Sequence, residues 1–220
     1  MTGRNRALRH FKRVDPLFYA ATKDCHGLLP LELPSKRTGK ELFSALVSIV
    51  VSQQLGLAAA DSIFKRVRAA CDGSITPETV LRLSEIQLRE AGLSGAKVKT
   101  IKAIAEAVSQ RKGGNTLDLI SLKRVPEEVA HERLTAIWGL GPWSVEMFMM
   151  FALGREDVFS PGDLGLLRSM ERIYGLQKNA PRTSLLSISQ EWSPYRTWAC
   201  LLLWRSKDAT PLPAIKGRHR

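Results

Sequence analysis

Cysteine is nearly missing from this chain: 3 copies in 220 residues, at Cys25, Cys71 and Cys200. Spaced so widely, they make neither a disulfide framework nor a four-cysteine zinc or iron–sulfur site. Histidine is as sparse, with 4 copies (His10, His26, His131, His219) far apart in sequence. No metal cluster can be read from spacing, so any bound cation would have to rest on backbone oxygens. No apolar run approaches the roughly 20 residues of a membrane span. The N-terminal stretch MTGRNRALRHFKRVDP is basic and lacks the apolar centre of a signal peptide. The expectation is a soluble, intracellular protein with no membrane partner. Acidic residues are in deficit as well, 21 against 33 Lys and Arg, for a net charge of +12. That balance fits a polyanionic partner, although an anionic membrane surface or a merely basic protein would share it. There is no internal repeat and no low-complexity segment.

What is present is helical periodicity and a sizeable apolar share, 44% of residues. This is enough for one large helical domain or two small lobes. No convincing alternating strand pattern occurs. The spacing predicts a helix over 4–22 with a break at Pro16, then an extended loop over 25–39 that holds Pro30 and Pro34. A buried helix is predicted over 41–51, an interruption at Ser52-Gln53-Gln54-Leu55-Gly56, and a second helix over 57–71. Thr76-Pro77-Glu78 is a helix start, with threonine as cap and proline in the first turn. That helix is expected to run to 91–94, with another over 97–110, a turn at Gly113-Gly114-Asn115 and a short helix over 117–122. Pro126 opens the next. Helices over 164–174 and 195–204 complete the reading, followed by a basic tail.

The segment 134–170 carries the chemistry. Gly139-Leu140-Gly141-Pro142-Trp143-Ser144 is a glycine hairpin opening into an apolar helix, and Asp163 stands just past that helix at the start of another. Glycine suits sharp turns at positive φ. A helix start leaves N–H groups and a positive dipole end exposed, a place for one phosphate. A phosphate grip beside a single acid suits an enzyme acting on a nucleic acid.

Three blocks in order then carry a family resemblance: Ile49-Val50-Val51-Ser52-Gln53-Gln54-Leu55, the segment 134–166, and Trp192-Ser193-Pro194-Tyr195-Arg196 running on to Trp204. Gly92-Leu93-Ser94 with Lys97 adds to them. The chain resembles the helix–hairpin–helix (HhH-GPD) DNA glycosylase superfamily, in its 3-methyladenine DNA glycosylase II, or alkylbase, branch. The resemblance implies an all-α, two-lobed fold with the active site in the cleft between lobes. The central lobe would span 41–153 and end in the helix–hairpin–helix; 1–40 with 154–220 would form the other.

The activity implied is hydrolysis of the bond between a damaged base and deoxyribose in double-stranded DNA, through an oxocarbenium-like sugar. Asp163 matches the family's catalytic aspartate; by type and position it also suits a helix N-cap. Many relatives carry an acidic residue where this chain has Gly162. Trp143 occupies the place where bifunctional members carry a lysine that attacks the sugar, so a monofunctional enzyme without lyase activity is implied. The alternative is a non-catalytic helix–hairpin–helix protein that binds damaged or abasic DNA.

A flipped base leaves a gap to be filled. The resemblance puts the wedge at about Gln54, within Gln53, Gln54 and Leu55; an ordinary helix junction with exposed glutamines is the other reading of these residues. Trp143, Met147 and Trp204 match base-pocket positions, where aromatic faces would attract cationic alkylated purines. Trp192 and Trp198 are assigned to the core. Gly139, Leu140, Gly141, Trp143 and Ser144 would hold one phosphate. Carbonyls of Thr135, Ile137 and Leu140 map to a monovalent cation site, for Na+ or K+. No cofactor is otherwise required, and no nucleotide is expected. Arg196 suits a salt bridge as well as a phosphate contact. A monomer is expected.

Overall fold

The computed structural model describes residues 1–34, 37–109 and 117–206. The turn expected at 113–115 and the basic tail at 216–220 lie outside them. The described residues form helices and connecting turns, with no strand among them. None of the helices is long and apolar enough to cross a membrane. The chain divides into two compact units: Met1–Leu33 with Arg155–Arg220, and Pro34–Gly154.

In the discontinuous unit, the predicted break at Pro16 has a specific cause. Helix α1 (Gly3–Val14) ends where the Asp15 N–H bonds the Phe11 carbonyl, and the Asp15 carboxylate then accepts the Phe18 N–H to start α2 (Pro16–Ala21). Proline at the first position of α2 has no N–H to satisfy. The same carboxylate accepts the Trp192 indole N–H at 3.0 Å and the Tyr174 hydroxyl. Burial, with the Asp15 carboxylate beside it, pushes the Tyr174 phenol upward. Residues 25–28, the start of the expected extended loop, belong instead to a 3-10 helix, Lys23–Leu28. Helices α10 (Leu164–Tyr174), α11 (Arg182–Gln190) and α12 (Arg196–Ser206) complete the unit, with α10 packed against α12 and α2. Trp192 and Trp198 are fully buried there, as are Phe11 and Phe18, with the Trp192 and Phe18 ring centres 4.8 Å apart.

The continuous unit is built on α3 (Gly39–Ser52), which Thr38 and Glu41 start with a reciprocal capping box. Its boundary falls at 34 rather than 41; the Arg37 carbonyl accepts the Lys123 ammonium at 3.2 Å, tying the segment before α3 to this unit. Helix α3 buries Leu42, Phe43, Leu46, Val47, Val50 and Val51 and packs against α4 (Leu57–Ala70), α7 (Gly95–Val108) and α9 (Pro142–Phe151). The helix expected from Pro77 to about 91 is two, α5 (Pro77–Arg82) and α6 (Glu85–Glu90). Ser84 and Gln87 form a capping box that restarts the backbone there, a local side-chain competition that apolar spacing does not register. The segment 117–122 holds only the start of a 3-10 turn at Ser121–Lys123, and α8 (Glu127–Thr135) leads into the hairpin.

Candidate active site and nucleic-acid interface

The hairpin between α8 and α9 is two tight turns. The Ile137 N–H bonds the Leu134 carbonyl and the Leu140 N–H bonds the Ile137 carbonyl, each at 3.1 Å. Gly139 stands at φ +84°, and a Cβ there would lie 1.9 Å from the Thr100 hydroxyl oxygen. Backbone angle and close approach both demand glycine. Gly141 is different: it has an ordinary φ of −80°, is exposed, and has nothing within 4 Å of a would-be Cβ. It caps α9 without a side-chain hydrogen bond, and Pro142 follows in the first turn. The first-turn N–H groups at Trp143 and Ser144 lie at a helix start whose cap residue carries no side chain, beside an open approach over Gly141.

Gln53 reaches into this hairpin. Its amide nitrogen donates to the Ser144 hydroxyl at 2.8 Å and to the Gly139 carbonyl at 3.4 Å. Of the three expected wedge residues, Gln53 is thus tied down, whereas Gln54 and Leu55 are exposed. Gln54 holds φ +56°, a left-handed conformation uncommon for a residue with a side chain. Leu57, which sequence reasoning passed over, is 90% exposed beside them. Also missed was Trp138 in the hairpin: it is exposed, and the Lys99 ammonium sits 4.1 Å from its ring centre. A lone tryptophan before the glycine was the available signal.

The carbonyl set at Thr135, Ile137 and Leu140 is compatible with a hard monovalent ion, which prefers neutral oxygens. The Ile137 carbonyl accepts one N–H and has a second lone pair, while the Thr135 hydroxyl donates to the His131 carbonyl at 2.8 Å. Among the described residues no group of His, Cys, Asp or Glu could hold a metal ion. Within α9, half-buried Trp143 and buried Met147 lie one turn apart.

In the other unit, Asp163 caps α10: its Oδ1 accepts the Leu166 N–H at 3.0 Å. The same oxygen accepts the Trp204 indole N–H, also at 3.0 Å, from α12. Both groups are half-buried. Gly165 packs beneath the pair, where a Cβ would stand 3.0 Å from Asp163 Oδ1 and 3.2 Å from Trp204 Cδ1. Trp204, expected as a stacking face, is therefore also a donor that orients the carboxylate. Gly162 is exposed in the preceding turn. Arg196 pairs with Asp157 through two guanidinium bonds of 2.8 and 3.1 Å. Burial alone would raise the Asp157 carboxyl; the Arg196 guanidinium, the Ser193 hydroxyl and the Arg196 N–H outweigh it and hold the group low. Arg196 thus anchors the start of α12, the helix that carries Trp204.

A glycine-turned hairpin and a capped aspartate, in a helical chain, match a known pattern. The family model for the HhH-GPD superfamily base excision DNA repair protein matches residues 47–194. The chain belongs to that superfamily. DNA-3-methyladenine glycosylase 1 of Schizosaccharomyces pombe is 33% identical over 169 residues, covering 76% of this chain and 73% of that protein. The crystal structure of the DNA-3-methyladenine glycosidase of Bacillus halodurans is 35% identical, with a TM-score of 0.72 over 90% of each chain. The S. pombe 3-methyladenine DNA glycosylase in complex with abasic DNA is 28% identical, with a TM-score of 0.72 over 93% of this chain and 98% of that one. With these two structures, the all-α helix–hairpin–helix fold is that of this superfamily.

Proposed function

We propose that the chain is a monofunctional DNA glycosylase that removes alkylated, cationic purines such as 3-methyladenine and 7-methylguanine from double-stranded DNA and leaves an abasic site. The observation that carries this is the oriented Asp163 carboxylate, fixed through Oδ1 by the start of α10 and by Trp204. In the reaction the C1′–N bond breaks with its electron pair leaving on the base. The sugar gains oxocarbenium character beside the carboxylate, and water adds to C1′. A purine that already carries positive charge departs as a neutral molecule, so modest assistance suffices. The resemblance sets Trp143 at the position of the lysine that makes a covalent sugar link in bifunctional members. A tryptophan cannot make that link, which supports hydrolysis alone, and with Met147 one turn on it would offer a face to a cationic ring. The hairpin N–H groups hold one phosphate, and a Na+ or K+ ion on the hairpin carbonyls would stiffen that loop without entering the chemistry. The protein acts as a monomer.

The test is strand integrity. A duplex with one methylated purine, incubated with the protein, is expected to stay unbroken until alkali is added, and borohydride is expected to trap no covalent adduct. Nicks before alkali would overturn the monofunctional reading. Because the affinity comes largely from phosphate contacts, binding should fall by about tenfold or more between 50 and 200 mM salt. A flat response in a fluorescence-anisotropy titration would contradict it.

Trp204→Phe separates the two roles of that residue. It keeps an aromatic face and removes the N–H that orients Asp163. Loss of a hydrogen bond to a carboxylate predicts a fall in the single-turnover excision rate of about tenfold, with little change in DNA affinity. An unchanged rate would show that the indole acts through its face alone.

A further inference from the structure

Lys97 lies in the first turn of α7, the end of a helix where the macrodipole disfavours a cation. Its N–H is held by the capping Ser94 hydroxyl at 3.3 Å, and its side chain leaves the helix altogether. The ammonium donates to the carbonyls of Val51 at 2.8 Å and Gln53 at 2.9 Å. Those carbonyls belong to the last turn and cap of α3, where intrahelical donors run out and the negative dipole end gathers. Lys97 is half-buried there, and burial lowers its pKa.

The segment so held is a tight turn. The Leu55 N–H bonds the Ser52 carbonyl at 3.1 Å, Gln53 has φ −51° and ψ 125°, and Gln54 has φ +56°. These angles are those of a type II turn, whose third position favours glycine. This chain keeps a glutamine there, exposed, with Leu55 and Leu57 exposed next to it. The turn is clamped from two directions: Lys97 takes its carbonyls, and the Gln53 amide ties it to Ser144 and Gly139.

We propose that Lys97 is a positioning residue for base extrusion: by pinning the Val51 and Gln53 carbonyls it fixes the turn that presents Gln54 to the DNA. The inference rests on the glycosylase reading above. It makes a distinction that a general packing role does not. A base that has lost its pairing partner needs less help to leave the stack. A defect in presenting Gln54 therefore slows excision chiefly when the lesion is paired.

The experiment measures single-turnover excision of 7-methylguanine placed opposite cytosine or opposite an abasic linker in the same duplex. Lys97→Met is expected to slow the paired substrate by about tenfold and the unpaired one by no more than about threefold. Gln54→Ala should show the same pattern, and the double variant should fall no further than the worse single one, as expected for residues acting through one element. Lys97→Arg, which keeps charge and donors, should restore most of the paired rate. Equal slowing on both substrates, multiplicative losses in the double variant, or a parental rate in Lys97→Met would each overturn the proposal. Release of no base by the parent protein from either duplex would instead overturn the glycosylase reading on which it stands.

Discussion

An Asp163→Asn variant is expected to fold and bind DNA as the parent does while losing excision by about 100-fold or more. The separation is possible because Asp163 has two roles that asparagine splits. As the cap of α10, it accepts the Leu166 N–H through Oδ1, and asparagine caps helices equally well. The Trp204 indole N–H can be accepted by an amide oxygen too. What asparagine lacks is the negative charge that stabilises a developing sugar cation or draws a proton from water. Thermal melting and anisotropy should therefore remain close to parental values as the single-turnover rate collapses. If the rate survives, another group performs the chemistry; if melting falls steeply, the carboxylate is structural first.

The second large effect is at the hairpin, where two glycines close in sequence are predicted to behave in opposite ways. Gly139→Ala forces a side chain into φ +84° and puts its Cβ against Thr100, whose hydroxyl is already bonded to the Ala96 carbonyl at 2.9 Å. Thr100 is buried and cannot step aside freely. Left-handed strain and overpacking together should destabilise the protein by roughly 3 kcal/mol or more. That corresponds to a fall in melting temperature of roughly 6–12 °C for a chain of this size. Gly141→Ala meets open space at an ordinary φ, so its melting temperature should hold. Its methyl instead stands over the approach to the α9 N–H groups, and DNA affinity should drop by about tenfold as one phosphate contact weakens. Equal stability losses in the two variants would contradict this division between a glycine required by the fold and one required by the ligand.

Much of the architecture was legible because its punctuation is local. Thr76 and Asp163 announce helix starts, and Pro16 announces a break, since capping is a contest between a side chain and the few residues after it. Elsewhere the deciding interaction was long-range or the signal faint. Helix α11, from Arg182, reads RTSLLSISQ, rich in serine and without a side-chain cap, so neither propensity nor an entry signal marked it. The split at Ser84 was hidden inside a continuous apolar pattern. The site divides in the same way. Gly139 and Asp163 stood out by type and spacing and Trp143 through the family resemblance, whereas the tie from Gln53 to Ser144 spans 91 residues and the Lys97 bonds to α3 span more than 40. No pattern along the chain encodes such a crossing. Trp204 shows the limit within a single residue: the family resemblance implied a stacking face, but only the folded geometry shows which oxygen its N–H reaches.

The most direct test of base excision by this protein is chromatography of the soluble fraction after incubation with DNA treated with a methylating agent. The parent protein is expected to release free 3-methyladenine and 7-methylguanine in proportion to protein and time, with Asp163→Asn releasing neither above the spontaneous rate. Binding to that DNA with no base released by the parent at any pH would contradict the assignment and leave a protein that only grips damaged DNA.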